Sequence, residues 1–276
     1  MSRYAVIMTC HDRRKLTVSC LASLFAARET VEGRVTLTVY LVDDGCTDGT
    51  ADAVRSEFPD VRVVPGSGNL YWCGGMRHAW RTAAQDEHDA YLWLNDDVTL
   101  SRDALEVLHD TSKQQERESG SAGIVVGSTA GEDGERPSYG SLSGPGVVEP
   151  GALPRPIRLF NGNIVLVSDS AYRKVGNLSR AYSHSFGDLD YGIRAERHGI
   201  PVWLAPGYLG HCNTNKCPKW KRPDVPLGTR LRELHRPTGC PPWELAYLMW
   251  QDRAWWAPYT IAKLYASVLF PPSHTT

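Results

Sequence analysis

The sequence predicts an α/β protein in which helices flank a mostly parallel β-sheet. Short apolar segments of strand composition alternate with helically patterned segments through residues 1–125, as in repeated βα units. Each of these apolar segments is followed by a polar cluster. The 276 residues are 42% hydrophobic and 22% charged, so one large domain, alone or with an appendage, has enough apolar material for a core.

The first half of the chain supplies four predicted strands with helices after them. The strands are residues 4–9, 35–42, 61–64 and 90–94. The helices are residues 16–27, a segment ending near residue 58, residues 75–85, and a segment running towards residue 118. Asp48 and Ser101 are short polar residues at the start of the second and fourth helices, so we expect them to be N-caps.

The pattern changes beyond residue 127. Residues 128–156 are rich in Gly, Ser and Pro, which favours a long excursion or a β-hairpin over another βα unit. The elements predicted to complete the core are a strand at 160–167, a helix at 188–198 and a strand at 202–204. The final segment, residues 243–270, is helical and aromatic, and Pro258 interrupts it.

Charge and cysteine content exclude several classes of protein. The 30 Lys and Arg residues nearly balance 31 Asp and Glu residues, which gives no bulk attraction for nucleic acid. The N-terminus does not have the pattern of a secretory signal, and no apolar segment approaches the ~20 residues of a membrane-spanning helix. The seven cysteines form no CxxC pair, which favours free thiols over a zinc site. We therefore expect a cytoplasmic protein.

Two features of the C-terminal region have more than one interpretation. Residues 213–236 carry seven cations, Lys216 among them, against two acidic residues. This basic segment closes over a diphosphate, faces an anionic carrier, or is a solvated loop; its charge favours the first two. Residues 243–270 pack on the core or on a second subunit as in a homodimer, or lie on the inner face of a membrane. Packing is favoured because Pro258 breaks the segment and both signs of charge occur in it.

Polar clusters follow the first four predicted strands. Ligands of parallel α/β sheets bind outside the carboxyl ends of the strands, so we expect these clusters to meet at one site. The clusters are His11-Asp12-Arg13, Asp43-Asp44, Gly66 to Asn69, and Asn95-Asp96-Asp97.

Two of these clusters contain adjacent carboxylates with no Lys or Arg beside them in sequence. For Asp96 and Asp97 the natural compensating partner is Mg²⁺ or Mn²⁺, which prefers carboxylates and substrate phosphates; the alternative is that one of them caps a helix or binds loop amides. Asp43 or Asp44 could accept a hydrogen bond from the N3–H of a uracil or thymine ring, which is the functional interpretation. The alternative is that the pair forms an Asx-turn. We favour Asp44 as the nucleotide contact.

A further dense cluster spans residues 183–194. Asp188 and Asp190 stand at the start of a predicted helix, where the helix dipole favours ionised carboxylates. Arg194 follows Asp190 by four residues and is expected to pair with it on one helical face. Asp188 is then the freer carboxylate and the candidate general base.

The ordered set of motifs resembles family 2 glycosyltransferases with the GT-A fold. The motifs are TxHxR after the first strand, VDDGCTDGT, GNLYWCGGMRHAW, LNDD, FNGNIVLV and FGDLDYGIR. The resemblance covers residues 4–212 and is strongest to bacterial rhamnosyltransferases and galactofuranosyltransferases. It implies a GT-A mixed sheet of Rossmann type, with residues 1–127 binding the nucleotide-sugar and residues 128–212 binding the acceptor. Residues 213–276 would form a basic loop and a helical extension.

The resemblance implies a role for each matching residue. The positions that would contact the nucleotide-sugar are Thr9, Arg13, Asp43, Asp44, Gly68, Asn69, Arg77, Asn95 and Asp96. Asn95-Asp96-Asp97 stands at the DxD position, which makes Asp97 the principal metal ligand; Asn95 departs from the Asp of many relatives. His211 resembles a third metal ligand found in parts of the family.

On the acceptor side, the resemblance makes Asp188 the catalytic base. The residues assigned to acceptor binding are Phe160, Asn161, Gly162 and Asp190. Trp72, although inside a motif, is expected in the core.

The function implied is inverting, metal-assisted transfer of a sugar from a UDP- or dTDP-sugar to a hydroxyl acceptor, which is a saccharide, a lipid-linked glycan or a natural product. The alternatives are a nucleotidyltransferase of related fold and a non-catalytic nucleotide-sugar or glycan-binding module. The first loop contains no glycine to hold a triphosphate, which disfavours the nucleotidyltransferase. An NAD-dependent dehydrogenase is disfavoured more strongly still, because no GxGxxG follows the first strand.

Overall fold

The computed structural model describes residues 1–131, 134, 136–144, 146–214 and 217–271. Lys216 and small parts of the predicted segments 128–156 and 213–276 lie outside the described residues. The described strands are β1 (Ser2–Cys10), β2 (Val35–Asp43), β3 (Arg62–Pro65), β4 (Ala90–Leu94), β5 (Thr99–Leu100), β6 (Ile124–Ala130), β7 (Pro137–Tyr139), β8 (Ser141–Ser143), β9 (Gly146–Val147), β10 (Arg155–Pro156), β11 (Leu159–Phe160), β12 (Ile164–Ser168) and β13 (Val202–His211).

The α-helices connect these strands and extend the chain beyond them. In the described residues they are α1 (Arg14–Arg28), α2 (Thr50–Glu57), α3 (Tyr71–Ala83), α4 (Ala104–Ser119), α5 (Asp169–Val175), α6 (Gly187–Arg197), α7 (Leu227–Leu234), α8 (Pro242–Gln251) and α9 (Ala257–Leu269). Short 3-10 helices cover Glu29–Val31 and Lys219–Lys221.

The large sheet is mixed. Its strand order is β10-β13-β6-β12-β4-β1-β2-β3, with β5 beside β13 and β7 beside β6. The pairs β1–β2, β1–β4 and β2–β3 are parallel, whereas β12 runs antiparallel to both β4 and β6. The carboxyl ends of β1, β2 and β4 therefore meet at one edge, as the sequence predicted. The nearly continuous apolar runs of these central strands reflect burial on both faces.

A hydrophobic layer covers each face of the sheet. One layer packs Leu21 and Leu24 of α1 and Leu105 of α4 against the sheet. The other packs α3 and α6 against the opposite face and is rich in aromatic rings, with Trp80, Trp93 and Tyr191 fully buried. The ring centroids of Trp80 and Trp93 lie 5.2 Å apart in an edge-to-face arrangement.

Both predicted N-caps are wrong. Helix α2 begins after Gly49, whose φ of 79° is left-handed, and Asp48 instead accepts hydrogen bonds from the Thr50 amide and from the Arg14 amide of α1. Helix α4 begins after Asp103, and the Ser101 carbonyl oxygen, not its side chain, accepts from Ala104. In both cases a turn separates the polar residue from the helix.

Three other predicted elements differ from the structure. Residues 160–167 split into β11 and β12 at Asn161-Gly162-Asn163, and β11 joins a small separate sheet with β8 and β9. The strand predicted at 202–204 continues to His211 through register shifts. The C-terminal segment breaks at residues 252–256, and Pro258 lies in the first turn of α9, where a missing N–H costs nothing.

No helix among the described residues has both the length and the apolarity that crossing a bilayer requires. The seven cysteines are free, as predicted.

Candidate active site

Two adjoining cavities open at the carboxyl ends of β1, β2 and β4. The first, which we call the β1–β2 cavity, has a volume of about 240 Å³ and is lined by residues that include Thr9, His11, Asp44 and Gly68. The second, the Asp188 cavity, has a volume of about 290 Å³ and is lined by residues that include Asn95, Asp97, Asn161 and Asp188. Both are lined by Arg13, Trp72, Asp96 and His184, so they form one continuous site.

The acidic pair after β4 faces a cation that the local sequence does not show. Arg13 Nη1 lies 3.1 Å from Asp96 Oδ1 and 2.8 Å from Asp97 Oδ2. The fold brings this guanidinium to the pair because α1 starts at the end of the neighbouring strand β1. Among the described residues, the partly exposed Arg13 guanidinium is thus the one cation that faces both carboxylates. The three ionised groups together keep a net negative charge.

Asp96 and Asp97 differ in burial. Asp96 is 6% exposed and also accepts a hydrogen bond from the Thr17 hydroxyl, and burial raises the pKa of its carboxyl to about 6 against the opposing effect of Arg13. The Asp97 side chain is 23% exposed and lines the Asp188 cavity. Asp97 is therefore the carboxylate of the pair that a ligand in the cavity reaches.

Asp188 enters the cavity from the first turn of α6. Phe186, at a left-handed φ of 70°, turns the chain into this helix, and a Cβ on Gly187 would lie 2.4 Å from Cys73 Sγ. The Asp188 carboxylate accepts from the Gly162 amide at 2.9 Å and from the Leu189 amide at 2.9 Å. Burial raises the pKa of Asp188 despite these hydrogen bonds. A carboxylate so oriented, with an elevated pKa, suits a general base.

Asp190 has a different position from the one predicted. Its side chain is fully buried, and its carboxylate accepts from Arg194 Nε at 2.7 Å and from the Tyr182 hydroxyl at 3.3 Å. The predicted pairing with Arg194 is confirmed. Because it has no exposed surface, this carboxylate contacts only its protein partners here, and its assignment to acceptor binding stays a prediction.

The two aspartates after β2 have structural partners. Asp43 Oδ1 accepts from the Cys46 amide, three residues on, at 2.9 Å; the bond stabilises the turn after β2 but is not the i to i+2 bond of an Asx-turn. Asp44 accepts from the amides of Gly68 and Leu70 at 2.8 Å and of Tyr71 at 3.1 Å. Asp44 thereby holds the loop after β3 against β2, and it also lines the β1–β2 cavity.

Glycines let the chain close tightly around this cavity. A Cβ on Gly66 would lie 2.8 Å from the Asp44 Cα atom, and a Cβ on Gly75 would lie 2.1 Å from Thr9 Oγ1. Gly68 has a left-handed φ of 84° and lines the cavity, whereas Asn69 next to it is exposed.

The structure does not bring Arg77 to the acidic pair. This residue lines a separate cavity of about 890 Å³ together with Arg81 and Arg180, and its Nη1 donates to the Ser179 carbonyl oxygen at 2.9 Å. Burial lowers the pKa of Arg77, and the two nearby guanidinium groups lower it further. The motif places Arg77 in α3 but does not show which cavity its side chain lines.

On the predicted acceptor side, Asn161 and Gly162 line the Asp188 cavity but Phe160 does not. Phe160 is fully buried in the aromatic layer, 6.4 Å between ring centroids from Trp93. Phe160 therefore lies outside the cavity, and its assignment to acceptor binding stays a prediction. A Cβ on Gly162 would lie 2.6 Å from the Trp72 ring, so this glycine allows the close approach of Trp72 and Asp188.

Cys212, not His211, is the residue of this segment that contacts Asp97. The Cys212 Sγ atom lies 3.6 Å from Asp97 Oδ1 and is nearly buried. His211 ends β13 and is exposed. The assignment of His211 as a metal ligand stays a prediction.

The sequence interpretation missed two residues of the site. Trp72 was expected in the core, but it lines both cavities and donates from Nε1 to Asn95 Oδ1 at 2.7 Å. His184 also lines both cavities, and burial lowers its pKa, which favours the neutral ring. Both lie inside quoted motifs, but only the fold shows that residues 72 and 184 meet.

The mixed sheet flanked by helices has the fold of a GT-A glycosyltransferase. A model of glycosyl transferase family 2 matches residues 5–176, which is more than half of the chain. The chain therefore belongs to glycosyl transferase family 2, as its motifs predicted.

A curated relative supports the same branch of the family. The chain is 26% identical over 215 residues to the N-acetylglucosaminyl-diphospho-decaprenol L-rhamnosyltransferase of Mycobacterium tuberculosis, in strains CDC 1551 / Oshkosh and ATCC 25618 / H37Rv. The match covers 67% of this chain and 66% of the relative, so the chain spans just under two thirds of that protein. The predicted resemblance to rhamnosyltransferases is confirmed.

Solved structures of similar fold are also glycosyltransferases. The mannosyltransferase PcManGT from Pyrobaculum calidifontis, in complex with GDP-Man and Mn²⁺, has a TM-score of 0.57 at 16% identity, covering 98% of this chain and 81% of that one. S. aureus TarS in complex with UDP-GlcNAc has a TM-score of 0.56 at 12% identity, covering 91% and 71%. At these identities the likeness establishes the fold.

Proposed function

We propose that this chain catalyses inverting transfer of a sugar from a UDP- or dTDP-sugar to a hydroxyl acceptor. The observation that carries the proposal is that Asp97 and Asp188, 91 residues apart in sequence, line the same cavity at the carboxyl end of the sheet. One carboxylate stands beside a partner acid and an arginine, and the other stands alone with a raised pKa. These different surroundings suit Asp97 to the donor side and Asp188 to the acceptor side of one reaction.

In the proposed reaction, Asp188 removes the proton from the acceptor hydroxyl while that oxygen attacks the anomeric carbon. The bond to the nucleoside diphosphate breaks on the opposite face, so the configuration at that carbon inverts. The amides of Gly162 and Leu189 hold the carboxylate in place for this step. A positioned general base contributes about 10² to 10⁴-fold in rate.

The residues present fit a divalent cation. Two adjacent carboxylates share a single arginine, and Asp97 offers hard oxygen ligands to the cavity. Asp97 would hold Mg²⁺ or Mn²⁺, with Asp96 behind it and His211 as the further predicted ligand. A cation there supplies positive charge for the departing diphosphate. The Mn²⁺ in the related mannosyltransferase structure supports this assignment.

The nucleotide is proposed to lie in the β1–β2 cavity. Thr9, Asp44 and Gly68 line it, and Arg13 stands between it and the acidic pair. Asp44 uses its carboxylate mainly to hold the loop after β3, but a carboxylate has about four acceptor positions and three are occupied. The remaining position supports the predicted contact with a pyrimidine N3–H. Asp43 acts through the turn that it caps.

A lipid-linked glycan is the acceptor class that we favour. The mycobacterial relative is named for a diphospho-decaprenol substrate and for transfer of L-rhamnose. That name supports a deoxysugar as the transferred unit and a sugar linked to a polyprenyl diphosphate as the acceptor of this chain. Asn161 and Gly162 line the acceptor side of the Asp188 cavity.

A thermal-shift screen tests the class of ligand. UDP, dTDP, their sugars and NAD are each added with and without Mn²⁺, because a ligand that binds only the native state raises the melting temperature. We expect a Mn²⁺-dependent rise with UDP or dTDP compounds, lost in Asp97→Asn and kept in Asp60→Asn, an exposed acid outside the site. A response to NAD alone, or a response unchanged in Asp97→Asn, would contradict the proposal. Binding without any turnover of donor would favour the non-catalytic module.

A further inference from the structure

The outer sides of α8 and α9 form an exposed aromatic surface. Among the described residues, seven of the twelve large hydrophobic side chains that are exposed lie in residues 243–270. We call this set the aromatic face, and it consists of Trp243, Trp250, Trp255, Trp256, Tyr259, Leu269 and Phe270. Trp255 is 85% exposed and Phe270 is 80% exposed. Such concentration marks an interaction surface, since scattered single apolar residues would need no explanation.

Helix α9 is apolar on two sides. Leu264 and Val268 are buried in a cluster with Trp220 and Leu234, which fixes the inner side. The outer side carries the exposed residues Tyr259, Ala262 and Ala266 at helical spacing, and Trp255 and Phe270 are exposed just before and just after the helix. Between residues 254 and 271 the only charged residue is Lys263, which is exposed. The inner side of α9 therefore packs on α7 and the 3-10 helix Lys219–Lys221, whereas the predicted packing on the core or on a second subunit stays a prediction.

The surroundings of the aromatic face are cationic. Residues 213–276 contain nine Lys and Arg against four Asp and Glu, whereas residues 1–212 contain 21 against 27. Helix α7 and the 3-10 helix Lys219–Lys221 pack against α9. Arg222 and Arg236 pair with Asp224 and Glu233. Arg232, Arg253 and Lys263, by contrast, are exposed and form no ion pair with another described residue. Lys219 and Lys221 are exposed.

The excess of positive charge decides between a second copy of the chain and an anionic bilayer as the partner of the aromatic face. A symmetric dimer would place the same cation-rich surface against itself, because a two-fold interface pairs one patch with its own copy. An anionic bilayer complements both features, since tryptophan and tyrosine favour the membrane interface and lysine and arginine are attracted to anionic lipid.

The aromatic face is joined to the site by α8. Glu244, fully buried in the first turn of α8, accepts from the Ser183 hydroxyl at 2.6 Å and from its amide at 3.3 Å. The two residues that follow Ser183 in the sequence, His184 and Ser185, line the Asp188 cavity. The helix that carries the aromatic side chains therefore also supports the wall on the proposed acceptor side.

We propose that the aromatic face docks on an anionic lipid bilayer and that the acceptor reaches the Asp188 cavity from that bilayer. The docking surface follows from exposure and charge alone, whereas the delivery of a lipid-linked acceptor rests on the glycosyl transfer proposed above.

Vesicle binding tests the docking surface. The full chain is sedimented with vesicles of phosphatidylcholine alone and of phosphatidylcholine mixed with phosphatidylglycerol. We expect binding to the mixed vesicles that weakens as salt is added, because salt screens the attraction of cations to anionic lipid. Replacing Trp255, Tyr259 and Phe270 together by Ala should reduce partitioning by at least about tenfold, since each ring contributes buried apolar area.

Leu153→Ala is the matched control, because Leu153 is 77% exposed and lies outside residues 243–270. It should bind vesicles like the unaltered chain. Unchanged circular dichroism and unchanged turnover of the donor with a water-soluble acceptor show that the triple variant is folded and active, which separates this test from that of glycosyl transfer. Docking is overturned if the unaltered chain ignores both vesicle types, if the triple variant binds them normally, or if light scattering shows a dimer that the triple variant loses.

Discussion

Asp188 and Asp190 lie on the same first turn of α6, and their surroundings give them different chemistry. Asp190 has no exposed surface and has Arg194 and Tyr182 as partners, whereas Asp188 has only amide partners and faces the cavity. The sequence distinguished the two correctly, because the i to i+4 spacing of Asp190 and Arg194 predicts a pair. It could not predict that Asp190 is sealed off, because burial depends on Tyr182 and on the loops that pack over it.

Asp190→Ala should destabilise the protein. Removal of this carboxylate leaves the largely buried Arg194 without its ion partner, which typically costs about 3–5 kcal/mol of unfolding free energy. Urea denaturation measures the loss. Asp52→Ala, at an exposed ion pair with Arg55, is the control and should change stability little. A variant at position 190 as stable as the control would show that the pair adds nothing.

The pH profile of turnover should report Asp188. Burial raises its pKa, so at a given pH more of the carboxyl is protonated than in an exposed aspartate, and a protonated carboxyl accepts no proton. We therefore expect kcat/KM to fall as the pH is lowered, with the midpoint above the value of about 3.9 usual for aspartate. An acid limb at or below that usual value would contradict the burial of the base.

The loop between β11 and β12 is the element that sets the geometry of the site. Asn161-Gly162-Asn163 interrupts an apolar run that the sequence indicated as one strand. Apolar composition alone cannot show such a break, because the residues on both sides are buried. The short run at residues 90–94 was predicted with the right bounds, since polar residues end it on both sides.

Gly162→Ala should disturb this loop. The added methyl group would lie 2.6 Å from the Trp72 ring and 3.4 Å from the Asp188 Cβ atom, so Trp72 or the loop must move. Overpacking of this kind costs about 1–3 kcal/mol, and we expect turnover to fall with it. Gly146→Ala is the matched control, because a Cβ there meets no atom within 4 Å. Equal stability and activity of the two variants would show that the approach of Trp72 is not needed.

At the scale of the molecule, the large sheet has its own hydrophobic layers, and the C-terminal helices α7 and α9 share a further cluster. The alternation of strands and helices predicted the parallel half of the sheet. It could not predict that β12 runs antiparallel between β4 and β6, because strand direction depends on the connection through residues 128–156. The partner of the acidic pair could not be predicted either, because Arg13 and Asp97 are 84 residues apart in the sequence and meet only in the fold.

Leu234→Ala should test the independence of this C-terminal cluster. Leu234 is fully buried with Trp220, Leu264 and Val268, so truncation to alanine costs about 2–5 kcal/mol. We expect faster amide hydrogen exchange in α7 and α9, with exchange in β1 and β4 unchanged. Faster exchange throughout the sheet would show instead that the whole chain unfolds as one unit.

The central claim is that Asp188 activates the acceptor at a site where Asp97 organises the donor. Its most direct test compares donor binding and turnover in Asp188→Ala, with UDP- and dTDP-sugars and Mn²⁺. We predict that kcat falls about 10² to 10⁴-fold while the donor Kd stays unchanged, because the carboxylate lies on the acceptor side of the cavity. Near-normal turnover in this variant would contradict the account.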